Sequence, residues 1–293
     1  MKPRLVIVTR KTNLEALVEH HGTEGQARFW VECRKQSFDE VKRAHEQHVR
    51  GLTQILRQIP ADRRRARLDR ADVDRFLFAP DDVVMVVGQD GLVPNVAKYL
   101  RGQLVIGVNP DKARNDGVLC RHAPEAVAGI LDLLETQPRV ERRTMALAVR
   151  EDGEQLLALN ELFIGHKTHQ SARYVIDTGA KTERQSSSGI ICATGTGSTG
   201  WARSIMQQRN QPVKLPDPQD RTLAWMVREP FPSRITGTTL QHGLIEDTGF
   251  VVTSEMPNDG VVFADGMEWD AMELNAGRSV TITAAKEPLN LVI

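Results

Sequence analysis

The feature that most limits how this chain folds is Val83-Val84-Met85-Val86-Val87, five apolar residues without a polar interruption, followed at once by Gly88-Gln89-Asp90-Gly91. A strand with one wet face alternates apolar and polar residues. An unbroken apolar run instead reads as a strand buried on both faces, the position of a central strand in a parallel sheet. A helical stretch follows through Val93, Val96, Ala97 and Leu100, and Leu104-Val105-Ile106-Gly107-Val108 reads as the next strand. Residues 4–9 make a first strand, and helices are expected over 38–58 and 124–135. The run at 63–67 (Arg63-Arg64-Arg65-Ala66-Arg67), flanked by Asp62 and Asp69, reads as a solvated face or loop. The alternation of strand, turn and helix specifies a parallel α/β sheet.

The pattern changes near Gln137-Pro138. Beyond it short strands dominate, at 145–149, 156–164, 173–176, 189–193, 236–240, 243–246, 249–254, 260–263, 268–274 and 278–284. Turn signals such as Asp152-Gly153 separate them. Residues 207–220, rich in Gln, Pro and Asp, read as a loop or insertion. A length of 293 residues suits about two domains. The expected architecture is a Rossmann-like parallel α/β domain over 1–137, followed by a β-sandwich-like domain over 138–293.

Lys+Arg and Asp+Glu number 38 each. A neutral chain has no global field to draw in nucleic acid or an anionic membrane, so neither is expected as a partner, and any anionic ligand needs a local site. No stretch reaches the roughly 20 apolar residues of a membrane span, and the first residues read as a strand rather than a signal peptide. Cys33, Cys120 and Cys192 are far apart and odd in number, which fits reduced thiols in the cytoplasm rather than a disulfide framework or a zinc site. No residue is assigned as a metal ligand.

Three segments carry candidate chemistry. Gly88-Gln89-Asp90-Gly91 stands at the carboxyl end of a central strand, where open α/β sheets bind ligands. Glycines there let backbone amides close on phosphate oxygens, and the Asp90 carboxylate suits Mg²⁺ or proton removal from a hydroxyl. Asn160-Glu161 lies inside an expected strand, where adjacent side chains point to opposite faces and buried polar groups need partners. Thr194-Gly195-Thr196-Gly197-Ser198-Thr199-Gly200 follows the strand ending at Ala193 and reads as a flexible loop rich in donors. It is not a P-loop, because no Gly-Lys-Ser/Thr follows.

In this order the three segments resemble the NAD kinase family, whose pattern is a Gly-Gly-Asp-Gly loop, an Asn-Glu pair and a Thr-Pro-Thr-Gly-Ser-Thr-type loop. Val105–Asn109, Ala158–Gly165, Ser187–Gly189, Thr194–Ser198, Val227–Pro230 and Asp265-Gly266 are similar to segments of its animal mitochondrial branch. The resemblance implies an α/β domain, a β-sandwich and an active site between them. It implies a homo-oligomer that uses ATP with Mg²⁺ to phosphorylate the adenosine-ribose 2′-hydroxyl of NAD, giving NADP. By position, Asp90 is then the catalytic base. Gly88, Gln89 and Gly91 handle phosphate, and Asn160, Glu161, Thr194, Thr196, Gly197, Ser198, Thr199 and Asp265 bind substrate. Gln89 stands where the family has glycine, Leu92 where it has threonine, and Gly195 where most members have proline. If position 89 requires a left-handed backbone, Gln is costly there. Two other readings stay open at this level. One is an NAD- or NADP-binding sensor without turnover; the other is a kinase of another small molecule, such as a sugar or lipid.

Overall fold

The computed structural model describes residues 2–209, 214–246 and 248–293. The chain divides into two units. One runs through Glu141 and takes back Asn290–Ile293; the other is Arg142–Leu289.

The first unit begins with β1 (Leu5–Thr9), α1 (Asn13–His21), α2 (Glu24–Glu32), α3 (Phe38–Gln58) and β2 (Arg65–Asp69). It continues through β3 (Val83–Val87), α4 (Leu92–Ala97), β4 (Leu104–Val108), α5 (Val127–Leu133) and β5 (Val140–Arg143). The apolar run of β3 is buried along its whole length, as a central strand requires. It pairs in parallel with β1 and β4. Leu5, Ile7, Met85, Val87 and Ile106 meet Ile55, Val127 and Ile130 in one core. Helices α1 and α2, unread in the sequence, build a satellite cluster with Phe38 around Leu14, Ala27 and Val31. The arginine-rich segment is a solvated face rather than a loop: Arg65 and Arg67 are exposed on the edge strand β2, parallel to β1. Its charged side chains suit a sheet edge, which must resist further pairing.

The second unit starts with β6 (Ala146–Arg150), β7 (Gln155–Ala158), β8 (Glu161–His166), β9 (Ala172–Asp177), β10 (Thr182–Ser187) and β11 (Ile190–Ala193). After α6 (Trp201–Arg209) come β12 (Leu223–Val227), β13 (His242–Ile245), β14 (Phe250–Ser254), β15 (Gly260–Ala264), β16 (Met267–Glu273) and β17 (Ser279–Ala284). Two antiparallel sheets form, in the orders β10-β9-β14-β17-β6-β7 and β13-β12-β11-β8-β15-β16. Their inner faces share one core. Tyr174, Ile176, Val252 and Ile282 of the first sheet meet Leu162, Ile164, Cys192, Trp225 and Val262 of the second. The alternate residues Phe163, Ile191 and Met226 point outward and are covered by Ala202, Ile205 and Met206 of α6. The fold is therefore α/β followed by a β-sandwich, as expected, and the Asp152-Gly153 hairpin joins β6 to β7.

Some boundaries differ from the sequence reading. Residues 236–240 form no strand, because their amides are taken elsewhere: Gly237 donates to the Arg184 carbonyl, and Thr239 and Leu240 donate to the Glu183 carboxylate. Residues 207–209 close α6, and 210–213 of the expected loop lie outside the described residues, as does Asp247. The last strand, β18 (Leu289–Val292), lies between β4 and β5 in the first unit's sheet. No helix among the described residues is long and apolar enough to cross a membrane.

Candidate active site

Winding of the first sheet reverses between β1 and β3: the chain leaves β1 outward to β2 and returns to start β3 on the other side. Loops that diverge at such a point leave a crevice beyond the carboxyl ends of the strands. Gly88 to Gly91 sit there. Asp90 is half-buried, and its carboxylate is held by three consecutive backbone amides. Leu119 and Cys120 donate to Oδ1 at 2.9 and 2.8 Å, and Val118 donates to Oδ2 at 2.8 Å. A carboxylate has about four acceptor positions, so one on Oδ2 is left among the described residues. The held segment lies on Gly107 of β4, where a Cβ would stand 2.1 Å from the Leu119 carbonyl oxygen. Only glycine allows that approach.

Gln89 is exposed, and it is not among the residues with a left-handed backbone, which apart from glycine are Lys35, Glu229, Asp259 and Asp265 among the described residues. Replacing the family's glycine by Gln therefore brings no backbone strain. Leu92 is buried at the start of α4, against Gly88. It contributes packing where a threonine would contribute a hydroxyl.

The other candidate residues meet in the second unit. Asn160 was expected inside a continuous strand over 156–164. Instead the strand breaks at Leu159-Asn160, and the chain passes from one sheet to the other between β7 and β8. The cause is Asp265. Its carboxylate accepts from the amides of Leu159 (2.9 Å), Asn160 (2.7 Å) and Glu161 (3.2 Å), which removes them from a ladder. Asp265 and Gly266 have φ of 54° and 70°, the left-handed pair of a two-residue hairpin turn between β15 and β16. Burial and the Asp265 charge push the Glu161 carboxyl up to about 7.

The segment 194–199 is packed rather than flexible. Thr194 is fully buried; its hydroxyl donates to the Leu159 carbonyl at 2.5 Å and accepts from the amides of Thr196 and Gly197. Gly197 lies against Asn160, where a Cβ would stand 2.2 Å from the carbonyl oxygen. Gly195 has the backbone of Asp217 as its neighbour, at 2.0 Å from a would-be Cβ. Ser198 Oγ donates to the carbonyls of Thr194 and Pro216. Thr196 is buried and accepts from the Arg143 guanidinium at 3.3 Å, so that of the substrate-side hydroxyls in this loop Thr199 is the exposed one.

Sequence reasoning missed the crevice's other walls. It is a cavity of about 650 Å³ lined, beside Gly88 and Gln89, by Arg10 and Lys11 after β1, Arg114 after β4, Lys35 before α3, and His45 and His48 on α3. The signal available was Thr9-Arg10-Lys11, two cations directly behind the first strand. Among the described residues no group of three or more His, Cys, Asp or Glu side chains is placed to hold a metal ion.

No family model matches the chain. Human mitochondrial NAD kinase 2 is 27% identical over 264 residues, which span 72% of this chain and 60% of that protein, so the chain covers about three fifths of that relative's length. Among solved structures, an NAD kinase from Archaeoglobus fulgidus in complex with ATP aligns over 99% of this chain and 93% of its own, with a TM-score of 0.60 and 19% identity. A yeast NADH kinase complexed with NADH aligns over 100% and 84%, with a TM-score of 0.59 and 14% identity. By sequence and by fold the chain is related to the NAD kinases, the animal mitochondrial branch among them.

Proposed function

We propose that this relative of the NAD kinases is itself an NAD kinase, transferring the terminal phosphoryl group of ATP to the adenosine-ribose 2′-hydroxyl of NAD. The observation that carries the reading is 27% identity to human mitochondrial NAD kinase 2 across 72% of the chain. The kept Asp90, Asn160, Glu161 and Asp265 support it, and so does the strain-free backbone at Gln89, which weakens the case for a binding-only protein.

Phosphoryl transfer asks a protein for positioning and charge stabilisation more than for covalent chemistry. In this reading the 2′-hydroxyl oxygen bonds to the terminal phosphorus as the bond to ADP breaks. The hydroxyl proton passes to the open position on Asp90 Oδ2. Three amides fix that carboxylate in place, so little reorganisation is needed at the moment of transfer. Gly88, Gln89 and Gly91 handle the donor side, and Asn160, Glu161 and Thr199 the acceptor. Proteins commonly hold Mg²⁺ by one or two carboxylates together with phosphates and water, and a bound ion here would need such donors. Glu40 and Asp111, which line the crevice with Gly88 and Gln89, fit that small donor set. When bound, the ion would neutralise charge on the phosphates.

A cytoplasmic homo-oligomer completes the proposal. The three cysteines are free, which suits a reducing compartment, and Trp269 is exposed on the edge strand β16, an open edge for a second copy. Light scattering at micromolar concentration tests the oligomer, and a monomer would remove it from the reading. The reaction is tested by NADP formation from NAD and ATP-Mg²⁺. Turnover by the native chain that collapses in Asp90→Asn is the expected result. A folded protein that binds NAD and forms no NADP would sink the reading.

A further inference from the structure

The strip of the first sheet beside β4 is filled by two segments placed end to end. β18 occupies its first half, with Asn290 and Leu291 opposite Leu104 and Val105, and ends at Val292. His122 takes the place beyond it, opposite Val108. The His122 amide donates to the Gly107 carbonyl at 3.1 Å, and the His122 carbonyl accepts from the Asn109 amide at 2.8 Å. On the other flank of β4 the Val108 carbonyl accepts from the Gly88 amide at 3.0 Å. The chain between Val108 and His122 is thus a closed excursion, and its return limb, Val118 to Cys120, supplies the three amides on Asp90. The outgoing limb is braced from within. The Asn109 side chain accepts from the Asp111 amide at 2.9 Å and donates to the Asn115 carbonyl at 3.1 Å.

The return limb is tied down by two side chains that reach to other strands. The His122 ring is half-buried, and its Nε2 lies 3.0 Å from the Val292 carbonyl. A carbonyl only accepts, so Nε2 carries the proton, and the bond closes the joint between the two segments. The Arg121 guanidinium donates through Nη2 to the Val118 carbonyl and to the Glu141 carboxylate on β5, each at 3.2 Å. It links the first residue of the amide cradle to β5 through a charge-assisted bond. The Glu141 side chain is 16% exposed, so salt screens this pair less than a surface one. Both anchors lie one or two residues beyond the cradle, on the side of the sheet made by β18 and β5.

We propose that Arg121 and His122 are positioning residues for the phosphoryl transfer: they fasten the amide cradle of Asp90 to β5 and β18, so that the aim of the carboxylate depends on the seating of the C-terminal strand. The assignment rests on the kinase reading above, in which Asp90 Oδ2 receives the hydroxyl proton. A general base works within about 2.6–3.2 Å of its proton's carrier. A cradle that shifts by a fraction of that distance slows the transfer, and it leaves the residues assigned to ATP and NAD where they are.

The test uses the whole protein. His122→Leu removes the donor and should lower kcat for NADP formation about tenfold or more, with KM for NAD and for ATP unchanged. His122→Gln, whose side-chain amide can donate to the same carbonyl, should recover most of the loss, and Arg121→Met should act in the same direction as His122→Leu. In the residual turnover of Asp90→Asn the His122→Leu effect should vanish, because residues that act through one group are not additive. A merely structural role would give the same fold-loss in both backgrounds. Asn290→Ala frees the far end of β18 from the Gly102 carbonyl and should leave kcat within about twofold. A comparable loss of kcat in Asn290→Ala, an unchanged kcat in His122→Leu, or a raised KM with kcat intact overturns the proposal. If His122→Leu fails to fold, the native protein decides: its ¹⁵N ring shifts in mildly alkaline solution should report the Nε2–H tautomer, and an Nδ1–H ring overturns the anchor. The two readings fail separately. NADP formation with equal kcat in native protein and His122→Leu defeats the anchors and leaves the kinase. Absence of NADP formation by the native protein defeats the kinase, and hydrogen exchange still tests the anchors: the amides of Val118, Leu119 and Cys120 should exchange faster in His122→Leu, and equal exchange defeats them.

Discussion

Asp90 and Asp265 are built alike in two unrelated surroundings. Each begins an Asp-Gly turn, and each carboxylate takes three consecutive backbone amides, 118–120 for one and 159–161 for the other. Each held segment also rests on a glycine, Leu119 on Gly107 and Asn160 on Gly197. The difference lies in what surrounds the charge. Asp265 sits in the left-handed pair of a hairpin turn, and its charge falls on Glu161, which it helps to keep protonated toward neutral pH. Asp90 follows a parallel strand beside an exposed Gln89 and the cationic crevice. One construction thus serves as a brace where its charge is spent on a neighbouring acid, and as a candidate base where its loop borders a cavity lined by Arg10, Lys11, Lys35 and Arg114.

The comparison can be broken by treating both aspartates the same way. Asparagine tolerates the left-handed region, so Asp→Asn removes charge at either site without backbone strain. Asp90→Asn should lower the rate of NADP formation about 100- to 10,000-fold, the usual worth of a general base. Asp265→Asn should lower folding stability by about 1–3 kcal/mol in urea titrations, with a smaller effect on rate. Similar rate losses in both would end the distinction between brace and base. Next in size are Gly107→Ala and Gly197→Ala, each expected to cost about 3 kcal/mol or more because the added methyl meets backbone carbonyl that cannot rotate away. Thermal unfolding reads this directly, and a near-neutral result at either position would show that its held segment has room to shift.

A third change sharpens the electrostatic half. Glu161 has its folded pKa raised to about 7 from the usual carboxylate value of 4.5. The folded state therefore binds this proton more tightly than the unfolded chain. The cost of ionising Glu161 is absent below about pH 4.5, grows as pH rises, and is complete above about pH 7. Glu161→Gln should stabilise the protein at pH 8, by at most about 3 kcal/mol, and leave it unchanged near pH 4.5. A gain that does not vary with pH would mean that neither burial nor the charge of Asp265 raises the Glu161 carboxyl. The smallest effect belongs to Gln89→Gly, which restores the family's glycine at an exposed position without strain. It should alter stability by less than about 1 kcal/mol and rate by less than about threefold. A large rate increase would show Gln89 to be an obstacle in the donor loop.

What the sequence disclosed follows from how local each cause is. The β3 run and the Asp152-Gly153 hairpin were legible because their determinants lie within a few residues. Asp90, Asn160, Glu161 and the 194–199 segment were legible as motifs. The break at Leu159-Asn160 was not, because it is imposed by a carboxylate more than 100 residues away. The 236–240 segment read as a strand for the same kind of reason, since Glu183 claims its amides from a distance. β2 was hidden by composition: an edge strand needs no apolar alternation, and its arginines are what protect it. Arg10 stood in plain view behind β1, but the cavity it lines is a property of the fold alone.

Returning β18 to the first unit's sheet has a consequence for timing on the ribosome. Val292 is part of the first unit's core, its carbonyl contacts the His122 ring at 3.0 Å, and Asn290 donates to the Gly102 carbonyl at 2.8 Å. All of the second unit is translated between β5 and β18. At about 5–20 residues per second that interval is on the order of ten seconds. Throughout it the flank of β4 that will receive β18 waits unpaired while the sandwich emerges. The earlier-made unit thus stays without its last strand until the later-made unit has been translated in full.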